Sequence, residues 1–204
     1  MLRGQGVEVS ALLTTLNEAA GRVAMHGVRR ELLEAQAEAA RVPVWQIPLP
    51  WPCTNEDYES RMAEACHRAV AEGFGRIAFG DLFLRDVREY REKQLAGTGL
   101  QPIFPLWQIP TAALARDMIG GGLRARLSCI DTQALEARFA GREFDTALLE
   151  DLPPSADPCG ENGEFHTFAY AGPMFDTPIP VETGEIREIG RFVYADLLCP
   201  GLSL

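Results

Sequence analysis

Short apolar runs alternate with longer amphipathic runs along the first half of the chain. Three short runs are rich in aliphatic and aromatic residues, as is typical of strands buried in a parallel sheet. Three longer runs place apolar residues at helical spacing and carry charge on the other face. In chain order these runs occupy residues 7–13, 31–42, 44–47, 54–72, 76–79 and 86–95. The β-α-β-α-β order predicts an α/β fold with a doubly wound parallel sheet.

The pattern changes near residue 100, where an extended, proline-containing segment interrupts the alternation. Shorter elements follow, with a strand predicted over residues 123–130 and helices over residues 111–120, 132–140 and 143–149. From Glu164 onward, alternating residues and turn signals predict mainly strands. We therefore predict two lobes, residues 1–104 with the parallel sheet and residues 105–204 as a small α+β domain.

Polar residues follow two of the predicted strands. Thr14 and Thr15 come directly after the first strand, and Gly80 and Asp81 follow the third. Ligands of open α/β sheets bind at the carboxyl ends of the strands. These four residues are therefore candidates for a nucleotide-binding edge, and composition alone fits ordinary strand-to-helix loops equally well.

The most informative stretch is residues 157–168, Asp-Pro-Cys-Gly-Glu-Asn-Gly-Glu-Phe-His-Thr-Phe. Its two glycines and its proline predict a tight turn, and the residues from Glu164 suit a strand. Strand alternation would place Glu164 and His166 side by side on one face. A carboxylate beside an imidazole can move protons or orient an amine. The alternative is a strand-end ion pair beside a turn, and the spacing alone leaves both open.

The amino-acid composition limits the classes of partner that this protein could bind. The 204 residues carry a net charge of −10, from 19 basic and 29 acidic side chains, which argues against a nucleic-acid footprint or an anionic membrane surface. No apolar run approaches the roughly 20 residues that cross a bilayer, and no signal-peptide pattern begins the sequence, so we expect a cytoplasmic protein. The five cysteines form no CxxC pair, and we predict neither a disulfide framework nor a protein-bound metal site.

The string at residues 157–168 resembles the signature of the diphthine–ammonia ligase (diphthamide synthase) family. That family is a branch of the PP-loop ATP pyrophosphatases, within the adenine nucleotide alpha hydrolases. Further family-like segments follow the family's order, at residues 24–26, 79–81, 105–107 and 172–175. The resemblance covers nearly the whole chain and implies a HUP-like (Rossmann-like) parallel sheet followed by a small α+β domain.

The resemblance implies ATP-dependent amide formation with ATP and Mg²⁺ as cofactors. In that reaction a carboxylate attacks the α-phosphate of ATP, which gives an acyl-adenylate and pyrophosphate, and ammonia then displaces AMP. Met25 and His26 resemble family positions near the nucleotide, and Asp81 is the candidate nearest the phosphates. The residues that would face the acceptor carboxylate and ammonia are Glu161, Glu164, His166 and Thr167.

The sequence departs from the family at its start. A PP-loop enzyme begins with a strand and a Ser-Gly-Gly-Lys-Asp-Ser type loop that holds the ATP phosphates, and these 204 residues contain no such string. Either the start codon is assigned too late or this is a degenerate form. The sheet is then expected to lack its central strand, to bind ATP weakly and to expose an apolar seam that favours a homodimer or aggregation.

The acceptor is open at this point. The resemblance implies either diphthine on elongation factor 2 or, for a bacterial relative, an unknown small carboxylate. A different class of function is a degenerate, non-catalytic nucleotide-binding module. The presence or absence of the phosphate-binding loop separates these alternatives, because a chain without it would lose most contacts to the ATP phosphates.

Overall fold

The computed structural model describes residues 1–201 and has the mixed helices and parallel strands of an α/β fold. Short 3₁₀ turns at Arg3–Gln5 and Ala137–Phe139 accompany the longer elements. The first half contains β1 (Leu12–Asn17), β2 (Arg22–Val23), α1 (Arg30–Ala40), β3 (Val44–Leu49), α2 (Asn55–Ala71), β4 (Arg76–Ala78), α3 (Arg85–Leu95) and β5 (Gln101–Ile103). The second half contains α4 (Thr111–Gly120), β6 (Arg124–Asp131), α5 (Thr146–Asp151), β7 (Phe165–Ala171), β8 (Glu182–Ile189) and β9 (Phe192–Leu198).

Short sequence motifs mark the ends of the helices in the first half of the chain. The Thr54 hydroxyl accepts the Asp57 N–H at 3.1 Å, and the Asp57 carboxylate accepts the Thr54 N–H at 3.1 Å. This reciprocal capping box satisfies two backbone donors at the start of α2. Helix α1 ends just before Pro43, which cannot continue a helix.

The parallel strands form two separate pairs. β1 pairs with β3, with Leu12 opposite Val44, and β4 pairs with β5, with Arg76 opposite Gln101. Within residues 1–201 no ladder joins the two pairs, so the described parallel strands do not form one continuous sheet. The β4–β5 pair instead closes a small core of its own under α2 and α3, around Cys66, Leu95 and Leu100.

The first strand begins later than the sequence pattern predicts. It runs from Leu12 to Asn17, so Thr14 and Thr15 lie inside it, opposite Gln46 and Ile47, and not in the loop after it. The reason is that the threonine backbone groups are used in the ladder while Leu16 takes the buried position, with 1% of its surface exposed. Gly80 and Asp81 do follow β4, as predicted.

The second half is organised by a four-stranded antiparallel sheet of order β7-β6-β9-β8. One face packs against α4, α5 and the turn at Ala137–Phe139, in a core that includes Leu127, Leu148 and Phe165. Residues of α1 cover the other face, where Leu32 packs with Phe168 and Leu197. The first half of the chain therefore completes the core of the second.

An ion-pair cluster joins the same two parts. Asp196, on β9, accepts hydrogen bonds from Arg22 at 2.9 Å and from Arg29 at 2.9 Å and 2.7 Å. The carboxylate is almost fully buried, while about a quarter of each arginine side chain is exposed. Hydrogen bonding from Arg29, opposed by burial and supported by Arg22, holds the pKa of Asp196 well below its usual range.

Helices in the described part of the chain are too short or too polar to cross a bilayer.

Candidate functional site

Two histidines from distant parts of the chain stack on each other. His166 lies on β7, and His26 lies in the loop between β2 and α1. Their ring centroids are 4.3 Å apart and the ring planes are inclined by 30°. The structure thus places a residue predicted for the nucleotide side directly against one predicted for the acceptor side.

The loop that presents His26 has an unusual backbone. The His26 N–H donates to the Ala24 carbonyl at 2.8 Å across Met25, whose φ is 64°. A γ-turn with positive φ at its centre is the rare, strained form. The Ala24 N–H donates to the Thr15 carbonyl at 3.0 Å, so β1 anchors this loop. Met25 is 60% exposed, which leaves it at the surface beside the histidine pair.

Burial keeps both imidazoles neutral at pH 7. It lowers the pKa of His26, opposed by a hydrogen bond to the backbone of Thr167. Burial, and after it the charge of His26, lowers the pKa of His166 to about 4. Within residues 1–201 the ring nitrogens of His166 have no hydrogen-bond partner. His166 therefore offers a neutral imidazole whose lone pair is free to meet a ligand.

Tyr194 and Cys129 lie on the strands behind the histidine pair. Cys129 is opposite both His166 and Tyr194 in the sheet. Burial raises the pKa of Cys129 to about 11 and that of Tyr194 to about 12. Both groups are uncharged at neutral pH. Sequence reasoning missed them because they follow His26 by more than a hundred residues and carry no local motif.

Gly27 is pressed against the Tyr194 ring, which makes a substitution there informative. A Cβ at Gly27 would lie 2.5 Å and 2.9 Å from two ring carbons, and its φ is +67°. We expect Gly27→Ala to lower the free energy of unfolding by about 2–4 kcal/mol, the sum of overpacking and positive-φ strain, as measured by urea denaturation.

Gly21→Ala is the matched control for that variant. Gly21 has a similar φ of +62°, but a Cβ there would meet nothing within 4 Å. We expect a loss of only about 1 kcal/mol from backbone strain. Equal losses in the two variants would contradict the close contact between Gly27 and Tyr194.

Glu164 is a buried carboxylate that closes the signature turn. One oxygen accepts the Asp157 N–H at 2.8 Å and the Asn162 side-chain amide at 2.9 Å, and the other accepts the Asn162 N–H at 3.0 Å. The strand begins only at Phe165, so the side chain turns back to the loop. No hydrogen bond joins it to His166 among residues 1–201. The side-by-side pairing predicted from strand alternation is therefore wrong.

This arrangement predicts that Glu164 acts on stability. In Glu164→Gln the amide group replaces one acceptor oxygen, so at least one N–H donor loses its partner in a buried setting. We expect the free energy of unfolding to fall by about 1–3 kcal/mol. Thermal melts at pH 7 measure the change, and an unchanged melting temperature would contradict it.

Glu161 and Asp81 meet partners on the other side of the signature turn. The Glu161 Oε1 accepts the N–H of Leu82 at 2.7 Å and of Phe83 at 3.3 Å. Both Asp81 oxygens accept from Arg91, at 2.7 Å and 3.1 Å. The predicted phosphate-side carboxylate is therefore already paired. A Cβ at Gly80 would meet nothing within 4 Å, so the backbone there is open to a ligand.

The predicted site residues do not form a set of side chains that could coordinate Mg²⁺. Asp81 is occupied by Arg91, and no group of three or more metal-ligating side chains occurs among the residues described. The Cys159 thiol donates to the Thr111 carbonyl at 3.4 Å, and burial raises its pKa to about 12, so it is a poor nucleophile at neutral pH.

The predicted site residues thus fall into two places. His26 and His166 meet at one, next to Met25 and Thr167 in the chain, and Glu161 of the signature turn accepts from Leu82, directly after Gly80 and Asp81, at the other. A surface cavity of about 400 Å³ elsewhere contains none of them. It is lined by Ile119, Arg124, Glu143, Phe144, Asp145, Thr146 and Tyr170.

Comparisons with known proteins find a match for the second half of the chain. Residues 111–196 match the family model described as the diphthamide synthase C-terminal domain. A curated relative, the diphthine–ammonia ligase of Rattus norvegicus, is 33% identical over 91 residues. The aligned part is 42% of this chain and 34% of that protein, so the chain spans about a third of the length of the relative. The resemblance seen in the sequence is confirmed for residues 111–196.

Proposed function

We propose that this chain provides the acceptor and ammonia side of an ATP-dependent amide-forming ligase, because residues 111–196 match the diphthamide synthase C-terminal domain model. The observation that carries the proposal is the stacking of His26 on His166 inside the matched region, where burial lowers the pKa of His166 and its ring nitrogens have no hydrogen-bond partner within residues 1–201. The proposed substrates are ATP, ammonia and a carboxylate. We also propose a cytoplasmic setting.

The proposed chemistry has two steps. A carboxylate oxygen attacks the α-phosphate of ATP, and pyrophosphate leaves as the acyl-adenylate forms. The nitrogen of ammonia then attacks the acyl carbon and loses a proton, and the bond to AMP breaks. A neutral imidazole at this point can take that proton, and the negative charge of an adenylate would stabilise the imidazolium that results.

His26 has a supporting role in this proposal. Its ring stacks against His166 with the ring centroids 4.3 Å apart, so in this proposal it restrains the plane of the reacting imidazole. The two stacked rings also limit the access of water, which competes with ammonia for an acyl-adenylate. Met25, held outward by the strained turn, is placed to contact the acyl or adenylate group.

The nucleotide side is proposed as a HUP-like sheet. The two parallel pairs, β1–β3 and β4–β5, have the strand direction that such a sheet requires. The open backbone at Gly80, at the carboxyl end of β4, suits a nucleotide. Mg²⁺ would be held mainly by the ATP phosphates, because Asp81 is paired with Arg91.

The experiment separates the two steps. A presynthesised acyl-adenylate of a small carboxylate is mixed with ¹⁵N-ammonium and this chain, and amide formation is followed by ¹⁵N NMR. A rate above the uncatalysed one, dependent on ammonium, supports the proposal, and a rate equal to the buffer control contradicts it. In a parallel arm with ATP, calorimetry and release of AMP with pyrophosphate distinguish a ligase from a module that binds nucleotide without turnover.

The acceptor is tested in the same assay. Small carboxylates are compared with elongation factor 2 carrying diphthine, each at matched concentration. Preference for the protein acceptor would indicate a diphthine–ammonia ligase in the strict sense. Preference for a small carboxylate would indicate the bacterial alternative, and light scattering of the same sample tests the proposed homodimer.

A further inference from the structure

Three segments that are distant in the sequence converge on Leu82. Its N–H donates to the Glu161 carboxylate at 2.7 Å, and its carbonyl accepts the Gln108 N–H at 2.7 Å. Leu82 is 4% exposed, and Gln108 has a positive φ of 62°, which a non-glycine residue adopts only when its surroundings hold it. The segment after β4 is therefore fixed from both sides.

Aromatic packing holds together the residues that the first half of the chain contributes to this junction. Phe79 stacks on Phe104 with centroids 5.6 Å apart, and the Arg88 guanidinium lies 4.7 Å from the centre of the Phe104 ring. Arg91 lies 4.4 Å from the centre of the Phe79 ring while it holds Asp81. The ends of β4 and β5 thus form one unit with α3.

In the second half of the chain, the residues of this junction lie close to His166 in the sequence. Glu161 precedes Asn162, whose backbone and side chain both donate to Glu164, and Glu164 lies two residues before His166. Asp157 braces the same turn, because its carboxylate accepts the N–H of Glu161 at 3.3 Å. A short, hydrogen-bonded path therefore connects Leu82 to the histidine.

We propose that Glu161 is a positioning residue that holds the Gly80–Leu82 segment at a fixed distance from His166. The inference rests on the proposed function, in which Gly80 and Asp81 lie on the nucleotide side and His166 on the ammonia side. The Oε1 atom of Glu161 accepts hydrogen bonds from two backbone amides. A general acid or base would instead direct its carboxyl group toward the substrate. The carboxylate also lies just ahead of α3, whose N-cap residue, Leu84, supplies no side-chain cap.

The test compares Glu161→Ala with Glu161→Gln, which keeps an acceptor oxygen. Hydrogen exchange of the Leu82 and Phe83 amides is measured by NMR on the full chain, without ligand. We expect exchange to accelerate about tenfold or more in Glu161→Ala and to return to within about threefold of the wild type in Glu161→Gln. The control is Glu150→Ala, which removes an exposed carboxylate from α5 and should leave both amides unchanged.

A second readout is the rate of amide formation from the presynthesised acyl-adenylate and ammonium. A positioning role predicts a loss in Glu161→Ala that Glu161→Gln largely restores, whereas a catalytic carboxylate predicts loss in both variants. Unchanged exchange at Leu82 and Phe83 in Glu161→Ala would overturn the inference. If the wild-type chain forms no amide, the proposed function fails, and the exchange measurement still decides whether Glu161 holds this segment.

Discussion

Asp196→Asn is expected to lower the free energy of unfolding by about 3 kcal/mol. The change leaves Arg22 and Arg29 as partly buried cations without the carboxylate that pairs them. Removing one partner of a fully buried pair typically costs about 3–5 kcal/mol. The lower part of that range applies here, because about a quarter of each arginine is exposed and water screens its charge. Urea denaturation at pH 7 measures the change.

The same cluster predicts a pH dependence of known sign. The pKa of Asp196 is lower in the folded protein than in the unfolded chain, where it is about 3.9. Its contribution to stability is therefore fully present above about pH 4 and declines as the pH falls toward the folded pKa. Asp196→Asn should be less stable than the wild type at pH 7, and the difference should shrink at pH 2.

Asp151→Asn is the matched control for Asp196. Asp151 also accepts from an arginine at 2.7 Å, namely Arg142, but half of its side chain is exposed. We expect a loss below about 1 kcal/mol, as for other exposed ion pairs. If both variants lost the same free energy, the burial of Asp196 would not be the source of its effect.

Elements with local signals were predictable from the sequence. The capping box at Thr54 and Asp57 marks the start of α2, and Pro43 follows the end of α1, because both act on their immediate neighbours. The interval over residues 132–140 has helical composition but folds into a single 3₁₀ turn at Ala137–Phe139. There Leu135 and Phe139 are used to fill the core beside α5, and tertiary packing overrides the weak local preference.

The candidate site was predictable in part. The string around His166 identified the region, but alternation paired His166 with Glu164 when its actual neighbour is His26, 140 residues away. Strand periodicity says which face a residue takes and nothing about what covers that face. Glu164 precedes the strand and follows the geometry of the turn, so the periodicity did not apply to it. The contact between Glu161 and Leu82 is equally non-local.

The remaining prediction separates His166 from its neighbours in the signature. His166→Asn should lower the rate of amide formation from acyl-adenylate and ammonium by about 10²–10⁴-fold, the usual contribution of a positioned acid–base group. Stability at pH 7 should change by less than about 1 kcal/mol, because the ring is neutral there and has no hydrogen-bond partner within residues 1–201 to lose. His67→Asn, at an exposed position on α2, is the control and should alter neither quantity.

Acid titration of stability gives the same residue a test that needs no activity. The pKa of His166 is about 4 in the folded chain and about 6.5 when unfolded, so unfolding takes up a proton between these values. The wild type should lose roughly 2 kcal/mol between pH 6.5 and pH 4 from this residue, and His166→Asn should lose correspondingly less. Parallel curves for the two proteins would show that His166 is not buried as a neutral base, and the proposed proton transfer would then lose its physical basis.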